Sequence, residues 1–211
     1  LIGTDYFAGK MFADAEEMKR VKAFDWKSEF KAIMENGGFH AIISNPPWGA
    51  DFSQEDKEYL KTKYEEFHVR TPESFNYFIG QTSALINLNG KSGVIIPSSF
   101  LNQHEFWKTR SHLVGKFSFS RVCNLSDGVF EGVTAPSCIL VFGSKENKSP
   151  SLFFDFRKSE RDTLQNDLKN EVGGQDASLI GTDSESFILQ VRSGGKIIQK
   201  CYAHPLLRDI A

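Results

Sequence analysis

The residues best suited to chemistry stand together as Asn45-Pro46-Pro47-Trp48, directly after the apolar run 39–44. A residue that precedes proline is pushed into an extended conformation, and each proline has a fixed φ and no N–H. The carbonyl of Pro46 and the side-chain oxygen of Asn45 are therefore two hydrogen-bond acceptors on a stiff backbone. Such a pair suits a group with two N–H donors, such as the exocyclic amine of a planar ring.

Trp48 adds a flat face beside these acceptors, and stacking of a base on an aromatic side chain contributes about 1–3 kcal/mol. Two hydrogen bonds accepted from an aromatic amine favour a pyramidal nitrogen, which is a better nucleophile toward an activated methyl donor. Catalysis of this kind depends on oriented dipoles and positioning rather than on a catalytic His, Ser or Cys. The alternative is that these residues form an ordinary turn with a packed tryptophan. We favour the functional interpretation because the stretch directly follows a predicted strand.

The elements that must position this stretch alternate along the chain. Apolar spacing and turn residues predict a buried strand over 39–44, and further strands and helices around it. The alternation predicts an α/β fold with a mixed, mostly parallel sheet, helices on both faces and an antiparallel hairpin late in the chain, near one edge of the sheet. The other predicted strands are 93–101, 117–125 and 137–142, and the predicted helices are 13–35, 51–64 and 73–88.

Composition and charge exclude some classes of protein. No apolar run approaches the ~20 residues of a membrane span. The net charge of −2 gives no overall attraction to nucleic acid, although a local basic stretch can supply one. Such a stretch contains Lys108, Arg110, Lys116 and Arg121. The three scattered cysteines favour a reducing cytoplasm, and the five histidines lack metal-binding spacing.

The tetrapeptide "NPPW" resembles the (N/D/S)-P-P-(Y/F/W) motif of S-adenosylmethionine-dependent amino-methyltransferases. N6-adenine DNA methyltransferases, rRNA guanine-N2 enzymes and glutamine-N5 enzymes that act on release factors all share it. The surrounding segments "AFDWKSEFKAIMENGGFHAIISNPPWGADF", "ESFNYFIGQTSALINLNGKSGVIIPSSFL" and "VFEGVTAPSCILVF" resemble the gamma-class adenine methyltransferases of type IIG-like restriction–modification enzymes. This resemblance implies a Rossmann-like methyltransferase fold, of which the chain holds a part.

The resemblance also implies roles for individual residues. Asn45 and the carbonyl of Pro46 would accept hydrogen bonds from the amine of an adenine that is flipped out of duplex DNA, with Pro47 completing the catalytic motif. Trp48 would stack on the base and Phe130 would contact it from another side; an ordinary core role for Phe130 stays open. The implied cofactor is S-adenosyl-L-methionine, and the implied partner is double-stranded DNA.

The chain departs from the family pattern at the cofactor site. Relatives bind the methyl donor through a glycine-rich loop after a strand and an acidic residue on the next strand, and we find neither here. Asp25 is a weak candidate for a cofactor contact, for which a structural role is favoured. His40 stands where relatives usually have Asp. Pro97 is expected to end the strand predicted within 93–101, so Ser98 and Ser99 follow the strand end and are expected to border the pocket.

We therefore expect 1–145 to be the C-terminal part of a methyltransferase catalytic domain that is inactive alone. Residues 146–211 are expected to be a linker or extension toward a DNA target-recognition region, with that region and an endonuclease in the same polypeptide. Two alternatives stay open. The enzyme could act on RNA guanine or on protein glutamine, or the chain could be a non-catalytic module that keeps the fold to bind DNA or another partner.

Overall fold

A six-stranded mixed sheet forms the centre of the computed structural model, which describes residues 1–8, 15–125, 127, 129–130, 134–145, 151–159 and 161–176. The strands are β1 (Phe39–Ser44), β2 (Ile86–Pro97), β3 (Phe117–Leu125), β4 (Ser137–Ser144), β5 (Leu152–Phe156) and β6 (Gln175–Asp176). Their order across the sheet is β1-β2-β4-β3-β5-β6. The helices are α1 (Ala15–Val21), α2 (Trp26–Glu29), α3 (Lys31–Glu35), α4 (Gln54–Lys63), α5 (Ser74–Leu85), α6 (Trp107–Lys116) and α7 (Arg161–Lys169).

The strand directions bring several loops to one edge of the sheet. β1 is parallel to β2, β3 is parallel to β5, and β4 is antiparallel to both β2 and β3. The register pairs Ser44 with Val94, and Pro97 with Ser137. The ends of β1, β2 and β3 therefore meet the start of β4 at one edge, which we call the carboxyl edge. The predicted mixed sheet with a late antiparallel hairpin is confirmed, but β4 lies between β2 and β3 rather than near an outer edge.

Helices α4, α5 and α6 cover one face of the sheet. Buried residues of α5, such as Phe75 and Ile79, join a cluster that includes Val94 and Ile96 of β2 and Leu140 of β4. Each such side chain contributes roughly 1.5–3 kcal/mol when it is fully buried. Because α5 leads directly into β2 and runs back along it, the first turn of α5 lies at the carboxyl edge.

The opposite face is covered at β3 and β5, where Leu164 of α7 packs with Leu125 and Phe154.

β1 is the outermost strand on the side of the sheet away from β5 and β6, and it is largely exposed. The prediction that 39–44 is a buried strand was therefore wrong about its burial. Ile43 is 91% exposed, because within the described part of the chain only β2 pairs with β1 and no helix covers Ile43. At its amino end, β1 is partly covered where Phe39 meets the ring of Trp26.

The single helix predicted over 13–35 is instead three short helices. Lys22 has a positive φ of 47°, which ends α1, and Asp25 starts α2 as its N-cap by accepting hydrogen bonds from the backbone of Lys27 and Ser28. β2 begins seven residues before the predicted 93. Gly90 lies inside β2 at a register shift, where a Cβ would stand 2.6 Å from the carbonyl oxygen of Phe39.

The sheet continues beyond the predicted boundary between 145 and 146, because β5 pairs with β3. Residues 152–156 therefore belong to the sheet and not to a linker. The segment 177–211, in which the predicted extension ends, lies outside the described residues. No helix among those described has the length and apolarity needed to cross a membrane.

Candidate functional site

The predicted motif forms the loop that leaves β1 at the carboxyl edge. Asn45 and Pro47 are exposed, Pro46 is buried and Trp48 is half-buried. The Asn45 side chain has no hydrogen-bond partner among the residues that the structure describes. Its amide oxygen is therefore available to a ligand at this edge. The catalytic role of the four residues stays a prediction.

The loop turns sharply after Trp48 and is attached to the start of α5. Gly49 has a φ of +66°, a conformation that side chains other than glycine rarely adopt. The Ser74 hydroxyl, at the first position of α5, donates to the carbonyl of Pro47 at 2.5 Å and accepts from the N–H of Ala50 at 3.4 Å. These contacts fix the loop against a buried helix.

Glu73 lies beside the same turn as the N-cap residue of α5. Burial raises the pKa of its carboxyl group, the negative charge of Glu105 raises it further, and the Gly49 N–H opposes both effects. The carboxylate thus has one favourable backbone contact with the loop.

Trp48 and Phe130 meet at the carboxyl edge although 82 positions separate them in the sequence. Their ring centroids are 6.3 Å apart and their planes are nearly perpendicular, at 79°. Trp48 also packs against the main core, and its indole N–H is buried without a partner in the described chain. The sequence suggested an indole ring with a free flat face. In the structure part of the ring packs against the core, so only its uncovered side is available for stacking. Base stacking by Trp48 and Phe130 stays a prediction.

The turn that follows β2 borders the same edge. The N–H of Ser98 donates to the carbonyl of Pro136 at 2.9 Å, which ties this turn to the end of the loop that carries Phe130. Ser98 and Ser99 are both half-buried here. The turn is also supported by the buried Arg110, which donates to the carbonyls of Phe100 and Gln103 at 2.7 and 2.8 Å.

The predicted basic stretch does not form one surface. Arg110 is only 1% exposed, and burial lowers the pKa of its guanidinium to about 10. Lys116 lies at the opposite end of α6, and Arg121 pairs with Glu171. Of the four residues only Lys108 is an exposed cation near the carboxyl edge, because α6 begins there and runs back toward the start of β3.

Lys108 borders a surface depression of about 420 Å³ that lies between the segment before α5 and the start of α6. Its polar lining includes the exposed cation Arg70 and two imidazoles, and one carboxylate, Glu105, accepts the Thr71 N–H at 2.9 Å. The depression shares the carboxyl edge with the N-P-P-W loop. Its lining residues are His68, Val69, Arg70, His104, Glu105, Trp107 and Lys108.

Comparison with known proteins decides the family. Residues 4–130 match the Eco57I restriction-modification methylase family. The chain belongs to this family. Over 160 residues it is 35% identical to a protein of Methanocaldococcus jannaschii that is named as a type II restriction enzyme and methyltransferase, an alignment that covers 74% of this chain and 13% of that protein.

Two solved structures show that the methylase-family chain has the Rossmann-like methyltransferase fold that was predicted. A nuclease-deletion mutant of the type ISP restriction–modification enzyme LlaGI, in complex with a DNA substrate mimic, superposes with a TM-score of 0.57 at 16% identity, covering 90% of this chain and 21% of that one. A Listeria monocytogenes protein described as a class I S-adenosylmethionine-dependent methyltransferase gives 0.50 at 18% identity, covering 64% and 42%. The chain spans less than half of each of these proteins.

Among the described residues, neither the Gly37-Gly38 pair nor Asp25 is arranged as a cofactor-binding element. The positive-φ glycines Gly37 and Gly38 precede β1 at the end opposite the carboxyl edge. A Cβ on Gly38 would stand 2.3 Å from the carbonyl oxygen of Leu85, so this glycine allows close packing of backbone rather than a cofactor cradle. Asp25 is occupied in capping α2, at 3.0 and 3.3 Å from two backbone N–H groups.

Proposed function

We propose that this chain forms the target-base side of an S-adenosylmethionine-dependent DNA methyltransferase that methylates the N6 amine of adenine within a restriction–modification enzyme. The observation that carries the proposal is the exposed Asn45 amide, without a partner in the described chain, beside two prolines and next to the Trp48–Phe130 pair. Family membership supports methylation in a restriction–modification system as the setting.

In this proposal Asn45 Oδ1 and the carbonyl oxygen of Pro46 each accept one N–H of the adenine amine. The N6 lone pair is delocalised into the ring, and two accepted hydrogen bonds favour the pyramidal, nucleophilic form. When bound, S-adenosylmethionine supplies the methyl group as an electrophile. As the amine bonds to the methyl carbon, the bond from that carbon to the donor's sulfur would break, and the nitrogen would carry positive charge until it loses one N–H proton. Each carbonyl contact would then be a hydrogen bond to a charged group, a class that contributes about 1.5–3 kcal/mol.

The aromatic pair would hold the base after it leaves the duplex. Flipping costs a few kcal/mol of stacking and pairing, and stacking on an aromatic side chain returns about 1–3 kcal/mol per base. Trp48 offers its open side to the base, and Phe130 stands nearly perpendicular to it as a second wall. An angle of this kind suits one flat ring that stacks on Trp48 and meets Phe130 with its edge.

The depression at the start of α6 would contact the DNA backbone near the flipped base. Arg70 and Lys108 are exposed cations there, and the half-buried Trp107 belongs to the same lining. Contacts of lysine and arginine with phosphates supply much of the affinity of proteins for DNA. Sequence recognition and cleavage would belong to other parts of a longer polypeptide, and the cytoplasm would be the site of action.

The test is transfer of tritiated methyl groups from S-adenosylmethionine by the intact protein that contains this chain. Duplex DNA, ribosomal RNA and a release factor are offered separately. The proposal predicts label in DNA alone. Label confined to RNA or to protein would replace DNA with that substrate, and tight DNA binding without any transfer would favour a non-catalytic module.

A further inference from the structure

One hydroxyl group of α5 holds the N-P-P-W loop from behind. The Ser74 side chain is the donor to the Pro47 carbonyl and the acceptor for the Ala50 N–H. Ser74 is 1% exposed, so water cannot easily take over either hydrogen bond. Because its two partners stand on either side of Trp48 and Gly49, the hydroxyl closes the turn that carries the indole ring.

The helix that carries this hydroxyl is itself fixed. The Asn76 amide donates to the carbonyl of Phe67 at 2.6 Å and to Thr109 Oγ1 at 2.9 Å, and the Tyr77 hydroxyl lies 2.6 Å from His68 Nδ1. Asn76 and Tyr77 are both 0% exposed. A contact to the first residue of α5 therefore ties the loop to a rigid part of the core.

We infer that Ser74 is a positioning residue for the target base, an inference that rests on the function proposed above. Because its side chain is buried, it would act on the base through the loop and not by direct contact. It orients the Pro47–Trp48 peptide, and the fixed φ angles of the two prolines transmit that orientation to Asn45 and the Pro46 carbonyl. The N-cap residue of α5 is Glu73, so loss of the Ser74 hydroxyl does not remove a helix cap.

The required chemistry is specific to a hydroxyl group. The site needs one group that donates to a carbonyl and accepts from an N–H, which serine and threonine provide and alanine does not. A displacement of about 1 Å in a reacting group can cost on the order of 100-fold in rate. Ser74→Ala should therefore lower kcat about 10- to 100-fold and change KM for DNA little, because DNA backbone contacts are elsewhere.

The experiment compares Ser74→Ala with Ser83→Ala in the intact protein. Ser83 lies on the same helix, and its hydroxyl donates to the Ile79 carbonyl at 2.8 Å, away from the loop. Steady-state methylation of duplex DNA gives kcat and KM, and amide hydrogen exchange by mass spectrometry follows the peptide 45–52. We expect lower kcat and faster exchange of 45–52 in Ser74→Ala only, with substantial recovery in Ser74→Thr.

Wild-type loop exchange and kcat in Ser74→Ala would overturn the inference, as would equal losses in both alanine variants, which would indicate general destabilisation. Faster exchange of 45–52 with unchanged kcat would also overturn it. If the wild-type protein does not methylate DNA, the proposed function fails; hydrogen exchange then still decides whether Ser74 holds the loop, so the two failures are distinguishable.

Discussion

Replacement of Asn45 by alanine should separate catalysis from stability. The side chain is exposed and, in the part of the chain that the structure describes, has no hydrogen-bond partner. Its removal should therefore change the free energy of unfolding by less than about 0.5 kcal/mol, as for other surface substitutions. In the reaction, however, it would remove one of the two acceptors for an amine that gains positive charge.

The size of the kinetic effect follows from the loss of one of the two hydrogen-bond acceptors. One hydrogen bond to a group with developing charge contributes about 1.5–3 kcal/mol, which corresponds to roughly a 10- to 150-fold fall in kcat. The KM for DNA should change little, because backbone contacts supply most of the affinity. Asn102→Ala is the matched control, since Asn102 is an exposed asparagine in the turn after β2.

The assay is methyl transfer to duplex DNA by the intact enzyme at saturating methyl donor, with urea unfolding in parallel. A kcat for Asn45→Ala within threefold of wild type would refute the reasoning. So would a loss of activity that matches a loss of folded protein, because Asn45 would then have a structural role.

Three other predictions concern the aromatic pair, the depression and the Arg20–Asp56 ion pair. Trp48→Ala should reduce the 2-aminopurine fluorescence increase at the target position, through a base-capture equilibrium weakened about 5- to 150-fold; an unchanged signal would exclude stacking. Arg70→Ala combined with Lys108→Ala should reduce the slope of log affinity against log salt by about 1.8, whereas Lys116→Ala, at the far end of α6, should not. The buried carboxylate of Asp56 pairs with Arg20 at 2.9 Å. Burial opposes ionisation of Asp56, but hydrogen bonds from Arg20 and Ser53 hold its pKa below the ordinary value of 3.8. The stabilisation is therefore present above that pH and is lost as the pH falls through the folded-state pKa. Urea titrations from pH 7 to pH 3 should show this loss in wild type and not in Asp56→Asn.

The local pattern of the sequence predicted the main strands and the loop, because apolar runs and prolines report directly on backbone conformation. It did not predict which strand would be exposed. A run such as 39–44 is apolar whether it lies at the centre or at the edge of a sheet, and Ile43 reveals its exposure only once the pairing of β1 is known. Strand order depends on contacts that are distant in sequence.

The same limit explains two residues near the candidate site that were missed or misread. Arg110 looked like part of a basic surface because arginine is rarely buried, yet it supports the turn after β2 through two carbonyls. Ser74 resembles an ordinary residue at a helix start, and its contact with Pro47 spans 27 positions. The sequence carried only a weak signal for this role, a serine at the start of the predicted helix 73–88.

The measurement that tests the central claim most directly is a structure of the intact enzyme with target duplex DNA and a non-reactive analogue of S-adenosylmethionine. The claim predicts a flipped adenine whose N6 lies about 2.7–3.2 Å from both Asn45 Oδ1 and the Pro46 carbonyl oxygen, with its ring against the open side of Trp48. A flipped base whose amine lies beyond hydrogen-bond reach of both oxygens would contradict it.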